Sequence, residues 1–228
     1  MAWHERPAGS FTAELWDGIG DVWAEIRSHP FMAGLTDGTL DPRSFVFYVV
    51  QDAHYLREYA RALAVCGARA DRVEAIRMFC EHAAGAIAVE RELHESFFAE
   101  FGLSEDAVAA TPMAPTNVAY TSYLLSAAYG GSYAEAVGAV LPCYWIYAEV
   151  GRELLASGSP DARYQRWIDT YGGDEFAEVV SQVLDTADAL GPTLSAADRA
   201  AAAERFATTS RYEWMFWDMG LRREAWPV

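Results

Sequence analysis

Cys143 and Tyr147 stand four residues apart in Leu141-Pro-Cys-Tyr-Trp-Ile-Tyr147, inside a run without charge from Ala136 to Ala148. A helix there stacks thiol and phenol on one face and must be enclosed by other helices. Such a thiol either packs as a small hydrophobe or acts as a nucleophile. No cation lies near it in sequence to hold a thiolate, so a nucleophile's proton would have to go to a base on another helix. Asp52 sits in the stripe Tyr48, Asp52, Tyr55, Tyr59, spaced i, i+4, i+7 and i+11, with hydroxyls ranged around one carboxylate. The phenols either satisfy that carboxylate structurally or line a pocket with it. Glu213 lies in Arg211-Tyr-Glu-Trp-Met-Phe-Trp217, whose apolar side chains would desolvate an inward carboxylate and raise its pKa toward the range useful for proton transfer. Ser210-x-x-Glu213 also fits a capping box, so a helix-capping role is equally open. Tyr171, in Thr170-Tyr-Gly-Gly173, falls at a helix end where two glycines either let backbone pass close to a ligand or make a turn.

Much other chemistry is excluded. All 17 basic residues are Arg, so no lysine is present for a Schiff base or a Walker A phosphate loop. No G-x-S-x-G motif or Gly-rich phosphate loop occurs. Glu81-His82, the Asp52/His54 pair and Glu90 to His94 do not reproduce the Glu-x-x-His pairs of di-iron bundles, so neither metal nor cofactor is expected. The balance of 17 basic against 33 acidic side chains leaves −16, which repels phosphate backbones and anionic lipid and argues against nucleic acid and membrane partners. Three widely spaced cysteines, Cys66, Cys80 and Cys143, read as free thiols in a reducing compartment. The charge-dotted Met1 to Gly18 resembles neither signal peptide nor anchor, and the expected location is the cytoplasm.

The elements that must position these groups are all helical. Phe11 to Ser28 reads as one amphipathic helix ending at His29-Pro30, and Asp41-Pro42 opens a helix to about Ala68. A third runs from Asp71 to about Phe101, followed by a short turn from Ser104 and a proline-marked loop, Thr111 to Thr116. Helices then follow from about Asn117 to Ala128 and, behind the capping box Ser132-Tyr-Ala-Glu135, to about Ala156. Three more span Asp161 to Thr170, Asp174 to Leu190 and Ser195 to Arg222, the last with a candidate break at Thr208-Thr209-Ser210. Pro142 predicts a local bend and a partly freed carbonyl at Gly138. Hydrophobic types make up 52% of the 228 residues, enough for one packed core, and no interdomain linker appears, so residues 1–228 are expected to form one all-α helical bundle.

These residues coincide with the pattern of a known family. The chain resembles TenA, thiaminase II, through His29-Pro-Phe31, Asp37-Gly-Thr-Leu40, Tyr48-Val-Val-Gln-Asp52-Ala-His-Tyr-Leu56, Leu141-Pro-Cys-Tyr-Trp-Ile-Tyr-Ala-Glu-Val-Gly151, Tyr164-Gln-Arg-Trp-Ile-Asp-Thr-Tyr-Gly-Gly173 and Tyr212-Glu-Trp-Met-Phe-Trp217. The resemblance implies a haem-oxygenase-like helical bundle, usually a homotetramer. It also implies hydrolysis of 4-amino-5-aminomethyl-2-methylpyrimidine, or of thiamine, to 4-amino-5-hydroxymethyl-2-methylpyrimidine for thiamine salvage. Carried over by motif, Cys143 matches the nucleophile of the cysteine-bearing branch and Glu213 the general acid/base. Asp52 matches the carboxylate that bonds the pyrimidine ring nitrogen and amino group. Tyr55, Tyr147 and Tyr171 match hydroxyls that orient substrate and thiol, and Tyr120, in Ala119-Tyr-Thr-Ser122, matches the wall on which the ring packs. Two alternatives stay open at this stage: a non-catalytic pyrimidine-binding or regulatory protein on the same scaffold, and a di-metal or haem-oxygenase-fold relative.

Overall fold

The computed structural model describes residues 5–228, with 89–96, 99 and 105 described by backbone alone. Among the described residues there are α-helices, one 3-10 turn and no strand. The helices are α1 (Phe11–Asp17), α2 (Gly20–Arg27), α3 (Pro30–Asp37), α4 (Pro42–Arg69), α5 (Val73–Phe101), α6 (Glu105–Ala110), α7 (Pro115–Gly130), α8 (Tyr133–Ser157), α9 (Ala162–Gly172), α10 (Asp174–Leu190) and α11 (Ala196–Arg222). The all-α expectation holds.

Local chemistry sets most of the boundaries. Asp41, Ser132, Asp161 and Ser195 each accept a hydrogen bond from a backbone N–H in the first turn of the helix they precede, and Ser132 with Glu135 forms the reciprocal capping box at α8. Three expectations require correction, and the stop expected at His29-Pro30 holds but also opens a further helix. The stretch from Phe11 to Ser28 is two helices, because the Gly18 N–H closes α1 on the Glu14 carbonyl, the Ile19 N–H turns back to that of Trp16, and Ile19 leaves helical geometry. His29-Pro30 both ends α2 and starts α3, with His29 Nδ1 accepting the Phe31 N–H at 3.1 Å. The turn at Ser104 caps a short helix, α6, and Pro115 begins α7, which shortens the proline-marked loop. Finally, α11 runs unbroken through residues 208–210: Thr209 and Ser210 donate to the carbonyls of Arg205 and Phe206, so their hydroxyls stay within the helix.

α8 occupies the centre, as its lack of charge requires, touching α4, α7, α9, α10 and α11. Val137, Ala139, Val140, Leu141 and Ile146 on it are sealed from solvent. Two glycines let neighbours approach: a Cβ at Gly138 would stand 2.4 Å from the Ala202 carbonyl oxygen of α11, and one at Gly151 would stand 2.3 Å from the Tyr171 backbone of α9. Pro142 does not interrupt α8, and near it the Tyr59 hydroxyl of α4 donates to the Val140 carbonyl at 2.8 Å. The result presses α4, α9 and α11 against the face of α8 that carries Cys143.

Candidate active site

Five helices supply the chemistry. α4 brings Asp52, Tyr55 and Tyr59, α7 brings Tyr120, α8 brings Cys143 and Tyr147, and α11 brings Glu213; Tyr171 comes from the end of α9. The two i, i+4 pairs Cys143/Tyr147 and Glu213/Trp217 lie on facing helices, and the Tyr147 and Trp217 rings meet at 5.1 Å. All seven side chains singled out from the sequence come together. The Tyr147 and Tyr171 rings are 4.9 Å apart, those of Tyr55 and Tyr120 also 4.9 Å, and the Tyr120 hydroxyl donates to Glu213 Oε1 at 2.5 Å. Asp52, 5% exposed, lies within electrostatic reach of Cys143, Tyr147, Tyr171 and Glu213.

Electrostatics separate the roles of the groups. Burial pushes the Glu213 carboxyl up to about 8; the Tyr120 hydrogen bond pulls it down and the Asp52 charge pushes it further up. Burial likewise holds the Cys143 thiol well above its ordinary pKa, reinforced by Glu213 and Asp52 and opposed by the neighbouring Tyr55 and Tyr59 hydroxyls. The resting thiol is therefore neutral, and it becomes a nucleophile only when a base takes its proton. Cys143 is deep in the bundle yet keeps accessible surface, while Leu141, Trp145 and Ile146 around it are sealed. Tyr55, whose hydroxyl has no closed hydrogen bond among the described residues, stands beside that thiol. A buried donor left without a fixed partner suits a ligand-binding wall. Buried phenols such as Tyr55 and Tyr147 titrate well above their ordinary range, so at neutral pH they serve as donors.

The geometry also resolves the ambiguity at Glu213. Ser210 is inside α11 and its hydroxyl is committed to Phe206, so Glu213 caps nothing and faces inward at 1% exposure. Sequence reasoning left Tyr48, Phe216 and Trp217 out of the site. Tyr48 shares a hydrogen bond with the Tyr147 hydroxyl at 3.0 Å, and the Phe216 ring packs against Tyr48 at 5.7 Å and Tyr55 at 5.4 Å. Tyr48 was visible in the hydroxyl stripe. Within the aromatic run after Glu213, only the helix phase tells which rings turn inward. For metal, no group of three or more potential ligands occurs among the described residues. Glu90 and His94, considered above as a pair, lie outside the described side chains. No described helix is long and apolar enough to cross a membrane.

Comparison with known proteins gives this arrangement its relatives. The TENA/THI-4/PQQC family pattern matches residues 16–223. The chain is 36% identical over 216 residues to an aminopyrimidine aminohydrolase of Bacillus subtilis, covering 95% of this chain and 92% of that one. It is 38% identical over 217 residues to a thiamine biosynthesis multifunctional protein ThiED of Corynebacterium efficiens, covering 95% of this chain but only 29% of that much longer protein. Among solved structures, a TenA family transcription regulator from Silicibacter sp. TM1040 superposes with a TM-score of 0.86 at 30% identity, over 94% of this chain and 98% of that one. A domain with a heme oxygenase-like fold from Shewanella denitrificans superposes with a TM-score of 0.75 at 15% identity, over 93% of this chain and 92% of that one, and shares the fold alone. With the match running through every helix that builds the site, the chain belongs to the TENA/THI-4/PQQC family.

Proposed function

We propose that the protein hydrolyses 4-amino-5-aminomethyl-2-methylpyrimidine, and also thiamine, to 4-amino-5-hydroxymethyl-2-methylpyrimidine by covalent catalysis at Cys143, in thiamine salvage. The observation that carries this reading is the meeting of a partly accessible thiol, a carboxyl with its pKa near 8 and a second buried carboxylate, within one wall of phenols. The name of the Bacillus subtilis relative supports it. The same thiol and carboxyl favour catalysis over a purely regulatory pyrimidine-binding role.

The proposed steps balance with side chains of this chain and one water. Glu213 in its ionised form takes the Cys143 proton as the sulfur bonds to an electron-poor ring carbon, and Asp52 binds the ring nitrogen and amino group, stabilising the charge that addition creates. The ring then expels the group on the exocyclic methylene: an amine leaves as ammonia with the proton returned by Glu213, whereas the thiazole leaves without a proton and Glu213 releases the one it holds to solvent. Water adds to the methylene carbon, its proton passes to Glu213, and Glu213 delivers that proton to the sulfur as the C–S bond breaks, returning the thiol and the ionised carboxylate. Tyr55, Tyr147 and Tyr171 orient substrate and sulfur, and Tyr120 provides the packing wall. The working form we propose is a cytoplasmic homotetramer of a single helical domain; Val73, Ile76 and Ile87, exposed along one stripe of α5, are apolar surface that an assembly would cover. Incubation of the wild type with each substrate, with chromatography of the pyrimidine products, tests the activity. The alcohol is expected from both, faster from the aminomethyl compound, and its absence from both would refute the proposal.

A further inference from the structure

The Tyr120–Glu213 hydrogen bond is held from outside the site by a chain of side chains that the proposed chemistry does not use. Tyr212, adjacent to Glu213 on α11, stacks face to face on Tyr120 with ring centres 5.1 Å apart and planes 7° from parallel. Its ring also touches Tyr123, one turn along α7 from Tyr120, at 5.7 Å. Tyr123 is fixed in turn: Arg205 Nη1 donates to its hydroxyl at 3.1 Å and the guanidinium lies 5.3 Å from its ring centre. Arg205 also donates through Nε and Nη2 to Glu135 Oε1, at 3.1 and 3.0 Å. Glu135 is the capping-box residue of α8, its Oε2 accepting the Ser132 N–H at 2.8 Å. One chain of contacts thus connects the start of the helix that carries the thiol to the carboxyl that would take the thiol's proton.

We propose that Tyr212 is a positioning residue for the acid/base group: held between Tyr120 and Tyr123, its ring keeps the Tyr120 hydroxyl on the Glu213 carboxyl. Arg205 and Glu135 brace the outer side of that clamp. The inference rests on reading Glu213 as the proton-transfer group, and it requires the Tyr212 ring, not its hydroxyl. Two alternating aromatic planes resist sliding because offset and tilted ring pairs have preferred separations. Without the clamp Tyr120 can leave the carboxylate, and the charged form of Glu213 loses its donor.

The groups facing Glu213 are Tyr48, Asp52, Tyr55 and Tyr59 on α4, Tyr120 on α7, Cys143 and Tyr147 on α8, and Tyr171 on α9. None is altered by changing Tyr212, so a displaced Glu213 titration reports the Tyr120 contact. The test is carboxyl titration followed by infrared spectroscopy in substrate-free full-length protein, with Glu213 assigned from Glu213→Gln. Tyr212→Leu should raise the Glu213 midpoint by about one pH unit or more, the scale of one hydrogen bond to a charged group. Tyr120→Phe should raise it in the same direction, and Tyr212→Phe should leave it in place. In turnover, Tyr212→Leu should lower kcat about tenfold with KM little changed. A wild-type midpoint in Tyr212→Leu, or a Tyr212→Phe midpoint displaced as far as that of Tyr212→Leu, would overturn the proposal. If circular dichroism finds Tyr212→Leu unfolded, Arg205→Met loosens the same clamp from its exposed side and must raise the midpoint; no displacement there overturns it equally. Because the titration needs no substrate, failure of the wild type to hydrolyse either pyrimidine would count against the proposed activity and leave the clamp standing on its own result.

Discussion

Glu213 combines two properties that a stability-optimised core would avoid: it is sealed from solvent, and its charged form is disfavoured by burial and by Asp52. Its folded pKa, about 8, lies above the unfolded value of 4.5, so the native state holds the proton more tightly. Below the unfolded pKa the group costs nothing. Between that value and the folded pKa the unfolded chain ionises first, and stability falls as pH rises. Glu213→Gln, which keeps an acceptor for Tyr120, should therefore raise the melting temperature at pH 8 and leave it nearly unchanged at pH 4, while abolishing turnover. Thermal scans at the two pH values check the first part; an equal gain at both would show that Glu213 is ionised normally. In the proposed mechanism the same pKa governs catalysis, since only ionised Glu213 can accept the thiol proton. The rate kcat/KM should climb with pH and level off above about pH 8, and a limb near the ordinary carboxylate range would remove Glu213 from the role of base.

Among the elements, α8 is the one whose neighbours cannot be moved without moving the thiol. Gly138 is a contact point with α11, and a methyl group there would collide with the Ala202 carbonyl. Gly138→Ala should cost about 1–3 kcal/mol in urea denaturation, the usual penalty of overpacking, and should lower kcat as α11 and Glu213 shift from Cys143. Full stability with full activity would mean that the α8–α11 spacing is not critical. Elements were the level at which sequence was most readable, and the reasons are physical. α4, α8 and α10 announce themselves through caps, apolar stripes and length. The Gly18 break was hidden because the apolar spacing of Leu15, Ile19, Val22 and Ile26 continues across it. The apparent break at Thr208-Thr209-Ser210 was misleading because hydroxyls folded onto preceding carbonyls satisfy themselves within a helix. In the site, Asp52, Tyr55 and Cys143 could be read from helical spacing. The part proposed for Tyr120 came only from resemblance, since a lone tyrosine in an apolar helix carries no signal of the carboxyl it will meet. Tyr212 and Phe216 depend on which way α11 is turned, a property of packing.

For the molecule as a whole, net charge and convergence matter most. With 33 acidic against 17 basic side chains, folding draws like charges together, although ion pairs such as Arg27–Glu153, Arg166–Glu100 and Arg199–Glu14 link distant helices. Screening of the surplus should outweigh the weakening of exposed pairs, so added sodium chloride should raise the melting temperature at neutral pH. A fall would show that the inter-helix pairs dominate. The central claim is that α4, α8 and α11, distant in sequence, place one sulfur and two carboxyl groups around a single heteroaromatic ring. The most direct measurement is the rate of alcohol formation from the aminomethylpyrimidine and from thiamine by the wild type and by Cys143→Ser, with folding of both proteins verified by circular dichroism. The account predicts that both activities are nearly abolished in the folded variant; rates equal to those of the wild type would contradict it.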